Sequence, residues 1–209
     1  MSSYTITTKK KQFDLSKFLI MTSIILVFSC IFLPFVVIYT YQDIFISNHI
    51  NGWFFTTPNS NYAIFAGSLF WFAIVMILYL IYRNRMLLKG KKVKHLLFLI
   101  LAFPGAIAII LSLNHYFYLD NQGIHYNEFW GVGTETFKWQ DVTHAEQLQV
   151  VRNGVMVEGD LVFTYQNGEV FHMPVTKDVQ LNKRRIYTEL RKVNVEVKRT
   201  LPDSSEVTK

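Results

Sequence analysis

The chain has 209 residues, of which 51% are hydrophobic and 17% are charged, and its formal net charge is +6. This hydrophobic fraction is too high for a soluble domain, and the apolar residues are concentrated before Asp120. The excess positive charge lies in two short clusters beside apolar stretches, so it reflects membrane topology and does not indicate nucleic-acid binding. A single cysteine, Cys30, excludes a disulfide within the chain and a cysteine-based zinc site.

Three uncharged apolar stretches, at 18–41, 62–82 and 96–113, follow a basic tail at 1–17. A bilayer core of about 30 Å requires about 20 helical residues, and each stretch reaches or approaches that length. A buried helix of a soluble protein rarely stays apolar on all sides for so long. Residues 18–113 are therefore predicted to form three transmembrane helices, which makes the chain a multi-pass protein of the cell membrane.

The first stretch has two alternative interpretations as a targeting signal. Lys9, Lys10 and Lys11 precede it, as in a signal peptide, but its apolar length exceeds the roughly 7–15 residues of a signal core. Cys30 could mark a lipoprotein cleavage site, but the apolar run continues through residues 31–33. The sequence therefore predicts an uncleaved anchor.

The distribution of basic residues predicts the orientation of the helices. The N-terminal tail carries four lysines and the loop at 83–95 carries six basic residues, whereas the loop at 42–61 has none. Because basic loops stay in the cytoplasm, the N-terminus is predicted to be cytoplasmic and the C-terminal domain extracytoplasmic. One alternative remains open: Pro104-Gly105 could turn the third stretch into a re-entrant hairpin that returns the chain to the cytoplasm.

No Asp, Glu, Lys, Arg or His lies within the three predicted spans. Proton relays and ion pathways usually need such residues, so their absence argues against a transporter or channel. Ala102 and Ala106 have the spacing of small residues at helix interfaces, which is a weak indication of packing. The loop at 42–61, with Trp53, is predicted either to lie partly on the membrane surface or to act as a simple connector.

After Leu113 the pattern changes to short β-type runs separated by turns. Turns are predicted at Asn121-Gln122-Gly123, where Gly123 suits a positive φ, at Asn153-Gly154 and at Gln166-Asn167-Gly168. An amphipathic helix is predicted over 178–193 and a flexible tail over 195–209. The predicted strands cover 115–120, 124–130, 136–139, 142–151, a run that begins near Val155, 161–165 and 169–175.

Three segments of this region, YLDNQGIHY, FKWQDVTHAEQ and LVFTYQNGEVFHM, precede the closing helix. With them, residues 114–194 resemble the bacterial pleckstrin-homology-like domain, in which an aromatic-x-acidic-aliphatic segment is matched here by Trp139, Asp141 and Val142. The resemblance implies a small β-barrel or sandwich of about seven strands capped by the C-terminal helix. It also implies a binding or scaffolding module, although a fold alone does not fix a function.

The chain departs from the pleckstrin-homology domains that bind phosphoinositides. Those domains place several basic residues around the first hairpin, because the phosphates need them. This chain has no Lys or Arg between Lys94 and Lys138. Binding of phosphoinositide headgroups in that mode is therefore not expected.

No catalytic, cofactor-binding or metal-binding residues are predicted. His115, His125, His144 and His172 lack a recognised ligand spacing, and no nucleophile elbow is present. The GVG at 131–133 is too short for a phosphate loop and has β-type sequence on both sides. We therefore expect no enzymatic activity.

The sequence suggests an accessory, regulatory or immunity-type membrane protein. Its partners would be the lipid bilayer and a protein or peptide of unknown identity, bound at an exposed strand edge or in the groove beside the last helix. The alternative is a subunit of a membrane transport or export complex that packs through Gly67, Ala102 or Ala106. The basic residues of the last helix form either a solvated face or a contact to anionic lipid or an acidic partner. They are Lys183, Arg184, Arg185, Arg191 and Lys192.

Overall fold

A computed structural model describes residues 14–131, 133–152 and 154–201. The chain divides into two compact units: one contains residues up to 40 and 60–112, and the other contains residues 41–59 and those from 113 onward. The predicted basic tail at Lys9–Lys11, Val132 of the GVG segment, Asn153 of the predicted turn and residues 202–209 lie outside the described residues.

Three long helices make up most of the first unit, and their ends continue into the second unit. They are α1 (Leu15–Phe45), α2 (Asn59–Leu88) and α3 (Leu96–Asn114). By length and composition, all three can cross a membrane. Many of their apolar side chains are exposed, such as Phe28 and Ile31 of α1, which suits a lipid environment. These features suggest a membrane protein. The first two helices extend beyond the predicted spans at both ends.

Helix α3 is unbroken through Pro104 and Gly105, so the chain does not reverse there. The alternative of a re-entrant hairpin at this position is therefore wrong. Proline removes one helical hydrogen bond. In the adjacent turn, the carbonyl oxygen of Leu101 accepts a hydrogen bond of 2.9 Å from Trp71 Nε1 of α2. A Cβ at position 105 would lie 3.0 Å from the Trp71 ring, so the missing side chain permits this close packing.

The first sheet of the second unit has the order β1-β2-β3-β4 and is antiparallel throughout. Strand β1 comes from the loop between α1 and α2, and its Phe54 lies opposite Leu119 of β2. The Trp53 N–H also donates to the carbonyl oxygen of Leu119, at 2.9 Å. This loop is therefore a structural part of the β domain and not a simple connector. The strands are β1 (Phe54–Thr56), β2 (Tyr116–Leu119), β3 (Gly123–Asn127) and β4 (Thr134–Lys138).

The second sheet has the order β7-β6-β5-β8. Strands β5 and β6 form a long antiparallel hairpin in which Arg152 lies opposite Val155, so the predicted hairpin is confirmed. The two strands predicted near Val155 and over 161–165 are one continuous strand. The strands are β5 (Val142–Arg152), β6 (Val155–Tyr165), β7 (Val170–Met173) and β8 (Val197–Thr200).

Strand β8 occupies part of the tail that was predicted to be flexible from residue 195, so that prediction is wrong for 197–200. Helix α4 (Lys177–Lys192) precedes it and begins at Thr176, whose side chain accepts a hydrogen bond from the N–H of Val179. The helix ends where Asn194 adopts a φ of 60° and the Val195 N–H donates to Leu190 O. This left-handed cap turns the chain back along β5, with which β8 pairs in parallel.

Both sheets and α4 contribute to one hydrophobic core, but the sheets do not close into a barrel. Of the predicted barrel or sandwich, the closed barrel is therefore wrong, and the arrangement is one antiparallel sheet, one mixed sheet and a helix. The core includes Trp139 and Phe163, whose rings lie perpendicular at 6.2 Å. Its fully buried members include Leu119, Ile124, Leu161, Phe163, Met173, Val179, Ile186 and Leu190.

Gly123 permits a close backbone approach and does not have the positive φ that its turn position predicted. A Cβ at this residue would overlap the carbonyl oxygen of Phe137 and lie 2.9 Å from Lys138 Cα. Strands β3 and β4 can therefore pair only because residue 123 has no side chain. The backbone atoms of β4 could not move away from an added Cβ as the end of a flexible side chain could. Gly168, by contrast, has a φ of 83°, as its turn requires.

We expect Gly123→Ala to destabilise the β domain by about 3 kcal/mol, because the added methyl group displaces strand β4. The control is Gly168→Ala, where nothing lies within 4 Å of the added Cβ. That change costs only about 1 kcal/mol of backbone strain. Denaturant unfolding of the detergent-solubilised chain, followed by tryptophan fluorescence, measures both. Equal losses in the two variants would contradict the proposed clash.

Candidate functional site

Four strands of the β domain end their sheets without a further partner strand among the described residues: β1 and β4 in the first sheet, and β7 and β8 in the second. Strand β4 is largely exposed, and β7 alternates between exposed and buried residues. An end strand presents backbone N–H and C=O groups that an incoming extended segment can pair with. The two open sheets thus leave four hydrogen-bonding edges in one domain, and the edge at β4 lies beside a cavity.

A cavity of about 230 Å³ lies between β4 and the turn that connects β6 to β7. Three consecutive residues of β4 line one side, and the β6–β7 turn lines the other. The turn is fixed by the Gln166 N–H, which donates to Asp141 O at 2.8 Å, and by the Tyr165 N–H, which donates to Glu169 O at 2.9 Å. The lining residues are Thr136, Phe137, Lys138, Asp141, Tyr165, Gln166, Asn167 and Glu169.

Aromatic side chains form the apolar part of this site. The Phe137 ring centroid lies 5.2 Å from that of Tyr165 and 5.0 Å from that of Phe171. Tyr126 meets Phe171 edge-on at 5.5 Å. Contacts of this kind favour offset and perpendicular ring geometries and hold the two sheets together beside the cavity. The site therefore combines a rigid aromatic wall with free backbone edges.

The Tyr165 hydroxyl is the most informative atom of the site. The side chain is buried, yet its hydroxyl has no hydrogen-bond partner among the residues that the structure describes. Burial, and secondarily the negative charge of Asp141, raises the pKa of Tyr165, so the hydroxyl stays protonated and can donate. A buried hydroxyl without a partner costs free energy, and such groups in native proteins call for an explanation.

A larger cavity of about 440 Å³ lies beside the end of α4 and corresponds to the groove predicted from the sequence. Three of its polar side chains have partners within the domain. Both carboxylate oxygens of the buried Glu189 contact Lys192 Nζ, at 2.9 and 2.8 Å, and Trp139 Nε1 donates to Asp120 O at 2.9 Å.

Asp120, His125 and Thr136 form a chain of polar contacts across three segments. Asp120 Oδ2 lies 3.0 Å from His125 Nε2, and His125 Nδ1 lies 3.0 Å from Thr136 Oγ1. The order carboxylate, imidazole, hydroxyl is that of a hydrolytic triad. However, Asp120 Oδ1 also accepts the backbone N–H groups of Gln122 and Gly123, and Tyr118 stacks on the imidazole at 4.4 Å. These contacts indicate that the three residues have a structural role and stabilise the β2–β3 turn.

The structure separates the four histidines of the β domain. His115 contacts Asn127 O, and burial lowers the pKa of His115 against the opposing effects of that carbonyl and of Glu128. His144 lies 2.7 Å from Glu146, which keeps the pKa of that carboxyl below its usual range, and His172 is exposed. Among the described residues, no three potential metal ligands come together.

Besides Lys192, which contacts Glu189 within the helix, two basic residues of α4 have partners on other segments and do not belong to a free basic face. Lys183 Nζ forms an ion pair with Glu158 of β6. The Arg185 guanidinium lies 4.5 Å from the ring centroid of Trp53, in the loop that carries β1. Cation–π contacts of this kind contribute about 0.5–1 kcal/mol at exposed positions. At least part of the basic pattern of the helix therefore serves to hold the domain together.

Comparison of the chain with protein-family models, with curated proteins and with solved structures finds no match.

Asp120 should make the stability of the β domain dependent on acid. Partial burial alone would raise the pKa of Asp120, but the N–H groups of Gly123 and Gln122 and the His125 side chain outweigh it and lower that pKa. A lowered folded-state pKa stabilises the fold above the unfolded pKa of about 3.9, and this stabilisation is lost as the pH falls through the folded value.

Asp120→Asn should therefore be less stable than the wild type at neutral pH, and the difference should shrink below about pH 4. The measurement is the free energy of unfolding between about pH 6 and pH 3. Glu135→Gln, on exposed strand β4, removes the same formal charge outside the turn and controls for net charge. A difference that does not change with pH would contradict the role of the Asp120 carboxylate.

Proposed function

We propose that this chain is a multi-pass membrane protein whose β domain captures an extended segment of a partner protein between β4 and β7. It would serve as an accessory, regulatory or immunity-type factor. The observation that carries this proposal is the buried Tyr165 hydroxyl, which has no hydrogen-bond partner among the described residues, in a side chain that lines the cavity between end strand β4 and the β6–β7 turn. A peptide carbonyl at this position would accept the hydrogen bond that the domain itself does not satisfy.

The shape of the site favours an extended segment over a compact ligand. Backbone pairing with an end strand supplies affinity, while side-chain pockets beside the edge supply specificity. The polar lining carries both signs of charge, with Lys138, Asp141 and Glu169, so it does not select a strongly charged ligand. The aromatic wall of Phe137 and Tyr165 suits an apolar side chain of the partner.

We also propose that the domain is pleckstrin-homology-like. Its support is the succession of an antiparallel meander of β2, β3 and β4, a second meander of β5, β6 and β7, and helix α4. Strands β1 and β8 extend these meanders. The proposal assigns no catalytic role, no cofactor and no nucleic-acid partner. The lack of basic residues between Lys94 and Lys138 still argues against phosphoinositide headgroups.

The proposed orientation has a cytoplasmic N-terminus and an extracytoplasmic β domain. The basic clusters at residues 9–17 and 83–94 support it. The pairing of β1 with β2 adds an independent argument. Strand β1 lies between α1 and α2, and β2 follows α3, so the α1–α2 loop and the β domain must be on the same side of the membrane. If α2 crosses the bilayer, α3 must cross it too.

Cysteine accessibility tests this orientation, because Cys30 is the only cysteine and Cys30→Ser gives a clean background. We expect a membrane-impermeant maleimide to label Asn51→Cys and Leu181→Cys in intact cells, and Lys91→Cys only after the membrane is permeabilised. Labelling of Asn51→Cys and Leu181→Cys on opposite sides would contradict the β1–β2 pairing. Labelling of Lys91→Cys alone in intact cells would invert the orientation.

Site-specific photo-crosslinking in cells tests the proposed capture of a partner. Val170 lies on end strand β7 and is half exposed, so a benzophenone amino acid at this position should crosslink to the captured segment. Leu181 on α4 is 75% exposed and provides the matched surface control. A crosslink that appears equally at both positions, or at neither, would contradict capture at the edge.

Tyr165→Phe separates a binding role from a structural one. Removing a buried hydroxyl without a partner should stabilise the free chain by about 1 kcal/mol. The same change should reduce the Val170 crosslink up to about tenfold, because a buried hydrogen bond to a ligand contributes about 1–1.5 kcal/mol. A variant that is destabilised, or that crosslinks as well as the wild type, would remove the proposed role of Tyr165.

A subunit of a transport or export complex is the second candidate, supported by an open apolar cavity of about 330 Å³ in the helical unit. Gly67 of α2 lines it, and a Cβ at this residue would contact nothing within 4 Å. Small residues of this kind allow close packing of a further helix. A benzophenone at Gly67 that yields a partner crosslink, with none from Val170, would favour this candidate over peptide capture.

A further inference from the structure

A tight turn between β3 and β4 presents two adjacent aromatic residues. The Gly131 N–H donates to the carbonyl oxygen of Glu128 at 3.3 Å, so Phe129 and Trp130 occupy the two central positions of the turn. Trp130 is 78% exposed, whereas Trp139 in the same domain is 2% exposed. A large aromatic side chain displayed at the tip of a turn is an unusual use of a tryptophan and suggests a contact surface.

The sheet register fixes where this turn lies along the chain. Strand β2 begins two residues after Asn114, the last residue of α3, and Tyr116 of β2 lies opposite Asn127 of β3. Strand β3 is antiparallel to β2, so it runs back toward the start of β2. The turn at 128–131 therefore continues past Tyr116, to the level at which the chain leaves α3.

Contacts within the β domain hold the turn in this place. The His115 ring meets the Phe129 ring edge-on, with centroids 5.8 Å apart, and His115 Nδ1 donates to Asn127 O at 2.7 Å. Phe129 in turn packs perpendicular to Trp130, at 5.1 Å. The residue that directly follows α3 thus supports the aromatic pair, and the exposed Trp130 ring is attached to a rigid base.

We propose that Trp130 inserts into the headgroup region of the bilayer that α3 crosses and anchors the β domain to the membrane surface. Tryptophan is enriched at this depth because its ring is apolar while its N–H remains in a polar environment. Glu128, at the base of the turn, does not favour attraction to anionic headgroups, so the anchor depends on burial of the ring and not on charge. The inference rests on α3 spanning the membrane and is independent of the site between β4 and β7.

The experiment measures the depth of the turn in the full chain. A nitrobenzoxadiazole dye is attached at Glu128→Cys in the Cys30→Ser background, and the protein is reconstituted in phosphatidylcholine vesicles. Separate vesicle samples carry nitroxide quenchers on the headgroup, near the top of the acyl chain or near its end. We expect strong quenching by the first two and weak quenching by the third. The dye at Leu181→Cys on α4 provides the reference for a surface site.

The variant Trp130→Ser tests whether the tryptophan is responsible. It should reduce the quenching at position 128, while Trp130→Phe retains part of it and the thermal midpoint stays unchanged because the ring is exposed. Equal quenching with and without Trp130, quenching at position 128 no stronger than at position 181, or strongest quenching by the deep nitroxide would overturn the proposal. Crosslinking of Glu128→Cys between two copies, without quenching by lipid, would identify a second chain as the occupant instead.

Discussion

The backbone pairing of β1 with β2 is the constraint on which the architecture depends. These strands are separated in the sequence by α2 and α3, yet Phe54 lies opposite Leu119 and the Trp53 N–H donates to Leu119 O. The inter-helix loop therefore completes a sheet whose other strands follow the helices. Because the pairing closes a long stretch of chain, it costs loop entropy that the buried aromatic residues of the loop must offset. Phe54 is in the hydrophobic core, and Trp53 packs against it.

The same strand order leaves unpaired strand edges in both sheets of the domain. Strands β1 and β4 end the first sheet, and β7 and β8 end the second, so each sheet has two edges without a further strand among the described residues. Proteins usually protect such edges, and this one protects them weakly, with short strands and an exposed Glu135 and Lys138. The Tyr165 hydroxyl belongs to the same region. An unpaired strand edge thus lies in the same region as a buried hydroxyl without a partner among the described residues. Together the two features indicate a binding site more strongly than either does alone.

Local signals in the sequence predicted the three apolar helices, the hairpins and the amphipathic helix, because each depends on neighbouring residues. The features that sequence reasoning missed depend on contacts between distant residues. Strand β1 is three residues long in a loop, and β8 follows a left-handed cap at Asn194, so neither has a clear periodic pattern. Gly123 was predicted for its φ but is needed because Phe137 O approaches it. The sequence does not show the candidate site either, because a Tyr165 hydroxyl without a hydrogen-bond partner among the described residues can be recognised only from its surroundings.

A buried amide joins three segments of the second unit. Gln42, near the end of α1, donates through Nε2 to Leu113 O near the end of α3, at 3.1 Å, and accepts from Thr57 Oγ1 through Oε1. One buried amide thus joins both helix ends and the loop that carries β1. The proposed anchor at Trp130 would restrict the rotation of the β domain at the membrane surface. Restricting the domain before it meets a partner lowers the entropy lost on binding, so a short edge such as β7 could capture a segment that it would bind only weakly in free solution.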